Sequence, residues 1–344
     1  MKALQKTAPA FGAELRDVPP PDAPGEGEVI VAVGAACVCG SDLHIYEWMP
    51  GYAFMADAMP VTIGHEFAGR IVAAGPGADS LDEGTLVAVR PSVVCGRCDA
   101  CLRGDSDRCS ARRGIGVTRD GAFAAFVRVP AANCIAAPDD MAPEVAALAE
   151  PMTVSAEAVA TGGVGPGDRV LILGPGNIGQ GAALFARAAG AALVVVAGKD
   201  DAPRLACLRA MGFDATVDVC ERSLGEALAP YLADGKFDVV IEATGVPAIV
   251  QPALDVLEVR GVLVICGIHP RPASVDLTRL VRAQQQIRGS YRAPLSTWPR
   301  ALAFLRDNAK AAHAMITHRL PLDRAIEGFE LARSRVASKV VIVP

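Results

Sequence analysis

The stretch "DRVLILGPGNIGQGAALFARAAGAALVVVAG", residues 168–198, decides how this chain folds. It opens with a short apolar run, passes through a glycine-rich turn, continues as an alanine-rich segment to a Gly stop, and ends in a second apolar, β-branched run. That order predicts a strand, a helix and a second strand, a βαβ unit, and such a unit implies a parallel sheet. The turn reads Gly174-Pro175-Gly176-Asn177-Ile178-Gly179. A lone GxGxxG is a weak signal, but here it follows a predicted strand and opens a predicted helix, the context in which it binds dinucleotides. Glycines permit a tight turn and let the backbone approach a pyrophosphate, whose charge the helix N-terminus favours.

The second strand ends at Gly198-Lys199, followed by Asp200 and Asp201. An acidic residue at the strand tip binds the ribose 2′-hydroxyl of NAD. Gly198 removes that carboxylate and Lys199 can meet a 2′-phosphate, which leans towards NADP. A shift of one residue would put Asp200 at the key place and favour NAD.

Outward from this unit, the alternation continues with a helix near 203–212, a strand in "FDVVIEATG", a helix at 247–257 and a strand in "GVLVICGI". Upstream, residues 1–148 hold short β-branched runs broken by Gly and Pro, such as "EVIVAVGAACV" and "FAGRIVAAG", which predict a β-rich, barrel-like unit. The pattern turns helical in "PEVAALAEPMTVSAEAVATGG". A tail from about 292 holds the helix "TWPRALAFLRDNA" and closes on "SKVVIVP", which could return to the first unit.

The chain has 344 residues, more than one typical domain, a net charge of −5 and a pI near 5.6. Nothing basic invites nucleic acid or an anionic membrane surface. No stretch reaches ~18 uninterrupted apolar residues, and the N-terminus has no apolar signal-peptide region, so the expectation is a soluble, cytoplasmic protein. In that setting disulfides are not expected from the ten cysteines. Scattered Cys134, Cys207, Cys220 and Cys266 read as small buried apolar groups, and Cys37 as a strand residue.

The remaining cysteines are different. Cys95, Cys98, Cys101 and Cys109 lie in fifteen residues with Cys-x2-Cys-x2-Cys-x7-Cys spacing. Four thiolates in one loop can wrap one tetrahedral Zn²⁺ at about 2.3 Å each, and such a closed site is structural. An iron–sulfur cluster is the other use of such a set. A second, open site is suggested by "CVCGSDLH" and "IGHEFAGR", with Cys39 and His65 as two ligands and Glu150 of "LAEPMTV" as the third. Glu66 is the rival carboxylate. Three protein ligands leave a position for substrate, the catalytic arrangement. Ser41 and His44 suit a proton path, because a hydroxyl can pass a proton from a metal-held alcohol to an imidazole. Asp42 reads as structural, and His269, His313 and His318 as core or surface residues.

"CGSDLH", "GHE", the cysteine quartet, "EP" at 150–151 and "GPGNIG", in that order, resemble the zinc-dependent medium-chain dehydrogenases over the full length, near the sorbitol and threonine dehydrogenase branch. The resemblance implies a GroES-like β-barrel catalytic domain at 1–148 containing the zinc loop 95–109, a doubly wound Rossmann domain at 149–291, and a segment 292–344 returning to the first. In that family the active site lies between the domains. It also implies two Zn²⁺ per chain, one held by Cys39, His65 and Glu150 with Glu66 close by, the other by the cysteine quartet. Ser41 and His44 match relay positions, Thr153 and Val154 the segment beside the nicotinamide, and Tyr291-Arg292 a pair that helps sorbitol dehydrogenases hold a polyol. Relatives are homodimers or homotetramers.

The expectation is therefore an enzyme that moves a hydride from a secondary alcohol, a polyol or sugar-like diol, to NAD(P)⁺. "HIYEW" looks like threonine dehydrogenases, but they carry a histidine before the first structural cysteine where this chain has Ser92. A threonine 3-dehydrogenase-type activity is the rival. A non-catalytic nucleotide-binding protein on the same fold would be expected to lack a ligand or relay residue, and none is lacking.

Overall fold

The computed structural model describes every residue except Asp79 and Ser80, and the side chain of Asp107 is left aside. The chain divides into two compact units, Met1–Glu150 with Pro294–Pro344, and Pro151–Ala293.

In the second unit, Arg169–Leu173 and Leu193–Gly198 are parallel strands joined by the helix Asn177–Ala188, with Val170 paired to Val194 and Leu173 to Ala197. The six-stranded sheet runs in the order Thr216–Asp218, Leu193–Gly198, Arg169–Leu173, Phe237–Glu242, Leu257–Ile265, Gln286–Gly289. This is the 3-2-1-4-5-6 order of a doubly wound dinucleotide fold, with its switch point beside the first strand. Its strands read as near-continuous apolar runs because helices cover both faces. Leu171, Val195, Val240, Leu254 and Leu263 are all buried in one cluster, and each large aliphatic side chain removed from water contributes about 1.5–3 kcal/mol before entropy is counted.

The helix expected at 203–212 spans Ala202–Ala210. The one expected at 247–257 is a 3-10 turn Pro247–Ile249 leading into Val250–Asp255. Four elements were not expected: the strand Thr216–Asp218, the helices Leu224–Leu232 and Leu277–Ala283, and the strand Gln286–Gly289. Leu224–Leu232 is hidden in sequence by Pro230, which reads as a breaker. Its start is nonetheless well made, with Ser223 and Glu226 exchanging hydrogen bonds in a capping box.

The first unit is built on a seven-stranded sheet whose centre is Glu28–Cys37. That strand pairs antiparallel with Glu66–Ala74, with Phe126–Pro130 along its first half, and with the closing strand Lys339–Val343 at its end. A small sheet of Glu14–Asp17, Lys2–Lys6 and Val61–Thr62 adjoins it. The core gathers Leu4, Val31, Phe67, Phe123, Phe329 and Ile342. Among the described residues no helix is long and apolar enough to cross a membrane.

Candidate functional site

Sheet register assembles the candidate metal centre. Cys37 pairs with Glu66 across the antiparallel strands, so Cys39, just past the end of one strand, meets His65, just before the start of the other. Gly64 lets the chain approach: at φ +100° it stands where an added Cβ would be 2.8 Å from the Phe123 ring. Cys39 is also the N-cap of the helix Gly40–Tyr46.

Asp42, three residues into that helix and fully buried, holds both residues. Its Oδ2 accepts from the Cys39 backbone N–H at 2.9 Å, and its Oδ1 lies 3.2 Å from His65 Nδ1. A carboxylate on Nδ1 fixes the ring and leaves Nε2 for a metal. The ligating atoms of Cys39, His65 and Glu66 lie within 4.8 Å of one another, with His65 and Glu66 buried.

The electrostatics describe a site built for a cation. Burial raises the Cys39 thiol, Glu66 adds to the rise, and His65 opposes it. Burial alone would depress the His65 imidazole, but Asp42 and Cys39 hold it well above its ordinary value. The negative charge that holds a proton there would favour a divalent ion in its place.

Glu150, on the first turn of the helix Ala149–Gly162, is not a member of the group of three. Burial pushes its carboxyl up to about 7, against the pull of His65 and with Glu66 adding to the rise. Glu66 already has a strong partner. Its Oε2 is in contact with Nζ of Lys339, which also donates to the Val38 carbonyl at 3.1 Å. Both side chains are buried.

Ser41 and His44 lie one turn apart on the helix that Cys39 caps. Ser41 hydrogen-bonds Tyr52, a residue of the 3-10 segment Pro50–Ala58, and the His44 ring lies 6.0 Å from the Tyr52 ring. Burial lowers the His44 pKa, with Glu47 opposing, which favours the neutral imidazole.

The quartet Cys95, Cys98, Cys101 and Cys109 brings four sulfurs within 4.8 Å. Backbone N–H groups of Cys101 and Ser110 pull the Cys98 thiol down to about 5. The Cys95 N–H donates to Cys109 Sγ at 3.3 Å and lowers that thiol too. Burial and the neighbouring sulfurs push the Cys101 thiol up to about 12, so the support for Zn²⁺ here is the meeting of four sulfurs. Of the scattered cysteines Cys37 is buried, Cys134, Cys207 and Cys266 are partly buried, and Cys220 is exposed.

In the second unit Gly174 takes φ +107°, and a Cβ on Gly179 would lie 1.8 Å from the Gly174 carbonyl oxygen. The third glycine therefore seats the helix against the turn. A Cβ on Gly176 would meet nothing within 4 Å, leaving an open cradle. Beside Ile178, both amide atoms of Asn177 are buried with no partner. Orphaned polar atoms at such a turn fit a bound dinucleotide. Lys199 and Asp200 are exposed, while Asp201 is buried against Arg204 at 3.4 Å. Thr153 is buried and Val154 half-buried in the helix Ala149–Gly162. Tyr291 is exposed and Arg292 half-buried, the guanidinium 4.5 Å from the ring centroid and donating to the phenol at 3.0 Å.

Three residues with roles here were read as structural or not singled out from sequence. Asp42 carried a signal, since Cys39-x-x-Asp42 has capping-box spacing. Tyr52 and Lys339 carried none.

Two family models match the chain, the alcohol dehydrogenase GroES-like domain over residues 25–139 and the zinc-binding dehydrogenase over 177–307. An L-threonine 3-dehydrogenase of Saccharopolyspora erythraea is 34% identical over 99% of this chain and 98% of its own length. A zinc-binding dehydrogenase of Sinorhizobium meliloti bound to NADP superposes with a TM-score of 0.87 at 30% identity, covering 100% of this chain and 99% of that one. Galactitol-1-phosphate dehydrogenase of Escherichia coli superposes at 0.89 with 28% identity, covering 100% of both chains.

Proposed function

We propose, from the premise that this chain belongs to the zinc-dependent medium-chain dehydrogenases, that it oxidises a secondary alcohol, a polyol or sugar-like diol, with NAD(P)⁺ as hydride acceptor. The observation that carries this reading is the convergence of the Cys39 thiol, the His65 imidazole and the Glu66 carboxylate to within 4.8 Å of one another, in a chain whose other unit has a dinucleotide turn with an orphaned Asn177.

In this reading Cys39 and His65 hold the ion, with Glu150 as third ligand and Glu66 close by in its pair with Lys339. Asp42 orients His65 and fixes Cys39. When bound, Zn²⁺ would supply a Lewis acid that lowers the pKa of the alcohol, and NAD(P)⁺ would supply the hydride acceptor. Ser41, which is hydrogen-bonded to Tyr52, takes the departing proton and passes it on to His44, one turn along the same helix. Gly174, Gly176, Asn177, Ile178 and Gly179 cradle the pyrophosphate, and Thr153 and Val154 flank the nicotinamide. Gly198 and Lys199 favour NADP, with the exposed Asp200 as the residue that would favour NAD. Tyr291 and Arg292 contact the polyol.

A specific observation also favours threonine as substrate: the S. erythraea relative at 34% identity is a threonine 3-dehydrogenase. A panel of sorbitol, xylitol, butanediol and threonine, each with NAD⁺ and NADP⁺, separates the two. Turnover should fall by orders of magnitude after zinc chelation and return with added Zn²⁺. Unchanged turnover in metal-free protein would sink the mechanism.

A further inference from the structure

Among the side chains of Pro151–Ala293 that bury polar atoms with no hydrogen-bond partner in the described residues are Asn177, His269 at Nδ1, and Ser290 at Oγ. Each follows the carboxyl end of a parallel strand, respectively Arg169–Leu173, Leu257–Ile265 and Gln286–Gly289. Buried polar atoms rarely lack partners, and a row of them along the ligand-binding edge of a doubly wound sheet points to a ligand that supplies those partners.

His269 is held more firmly than an idle surface histidine. Its Nε2 lies 3.0 Å from Oε2 of Glu242, a residue with 0% exposure at the end of the strand Phe237–Glu242. Glu242 Oε1 accepts from the backbone N–H of Thr244 at 2.7 Å and of Gly245 at 2.8 Å, and from the Thr244 hydroxyl. With a carboxylate oxygen as its partner Nε2 is the donating nitrogen, which leaves Nδ1 as a fixed polar atom with no partner.

The place of that atom follows from packing. A Cβ on Gly174 would lie 3.0 Å from Thr244, and one on Gly245 would lie 2.6 Å from the Ile268 carbonyl. The phosphate turn, the 243–246 turn and the 266–269 turn therefore touch in series along one edge. In this fold the adenosine ribose meets the tip of the second strand, here Gly198, and the pyrophosphate meets the turn after the first. The second nucleoside then runs the opposite way, over 243–246 and 266–269. Two apolar side chains stand exposed there, Val246 at 47% and Ile268 at 56%, as a planar ring would require.

The geometry points to His269 as a cofactor-positioning residue: its Nδ1 accepts a hydrogen bond from the nicotinamide nucleoside, from a ribose hydroxyl or the carboxamide N–H, while Glu242 holds the ring. This rests on the NAD(P) reading above.

The test is equilibrium binding of NADH, NADPH, ADP-ribose and ADP to the full chain and to His269→Ala and His269→Gln. Losing one neutral hydrogen bond should weaken binding of the preferred reduced dinucleotide roughly three- to ten-fold. ADP should be unaffected. Glutamine, whose amide can donate to Glu242 while its oxygen accepts from the ligand, should restore most of the loss. A loss shared by ADP-ribose assigns the bond to the ribose, and one confined to the full dinucleotide assigns it to the carboxamide; both support the proposal. On wild-type protein labelled with ¹⁵N-histidine, the Nδ1 resonance of His269 should move with NAD(P)H and stay with ADP. Equal affinity of wild type and His269→Ala for the dinucleotide, equal loss for ADP, or an unmoved resonance would overturn it. A wild-type protein that binds neither NADH nor NADPH would sink the dehydrogenase reading itself, a separate outcome.

Discussion

Replacing Lys339 with methionine should be among the most destabilising single changes in the first unit. Its ammonium is 3% exposed, is in contact with the buried Glu66 carboxylate, and donates to the Val38 carbonyl at 3.1 Å. Methionine keeps the apolar stem but leaves a charge without a partner. Breaking a buried pair on one side costs about 3–5 kcal/mol, much of it the stranded charge. Set against a typical total stability of about 5–15 kcal/mol, that is a large fraction. Both tryptophans, Trp48 and Trp298, belong to the unit that carries Lys339, so urea unfolding followed by tryptophan fluorescence reports on that unit. With a slope of about 1–3 kcal/mol per M, the midpoint should fall by roughly 1–3 M. The double variant Lys339→Met with Glu66→Gln removes the stranded charge and should recover most of the loss, giving a coupling of about 2 kcal/mol or more. The pH dependence carries a definite sign. Burial alone would lower the lysine, but Glu66 and its neighbours raise it above its ordinary value. The pair's contribution is then fully present below the unfolded lysine pKa of about 10.4 and is lost as pH rises beyond the folded value. A single variant within about 1 kcal/mol of wild type, with no recovery in the double, would refute this reasoning.

Three further variants can be checked. Gly179→Ala forces a methyl to within 1.8 Å of the Gly174 carbonyl oxygen, so it should lower the melting temperature and weaken dinucleotide binding, an overpacking cost of about 1–3 kcal/mol offset in part by about 1 kcal/mol of helix propensity. Gly176→Ala meets open space and should leave melting unchanged while still weakening binding, and a thermal melt beside a fluorescence titration separates the two. Cys101→Ser opens the cysteine quartet, so elemental analysis should find bound zinc falling from two per chain towards one; retention of two would mean that the quartet is not a metal site.

Much of this protein is legible in sequence because its decisive signals are local. A strand, a glycine turn and a helix lie within thirty residues, and their spacing alone dictates βαβ geometry. Four sulfurs in one short loop meet because the chain between them is too short to keep them apart. Even the hold of Asp42 on Cys39 follows a three-residue spacing. Other features have no local trace. Pro230 disguised a helix whose packing and cap outweigh one missing backbone donor.

What the sequence determined by itself is therefore the fold class, the nucleotide turn and the cysteine quartet. Only the tertiary structure brought His65 beside Cys39, paired Glu66 with Lys339 across 273 residues, hydrogen-bonded Tyr52 to Ser41, and turned His269 from an unremarkable histidine into the fixed partner of Glu242. Those contacts depend on strand register and sheet order. Both are chosen by the burial of whole apolar faces, a global free energy that no single stretch of residues encodes.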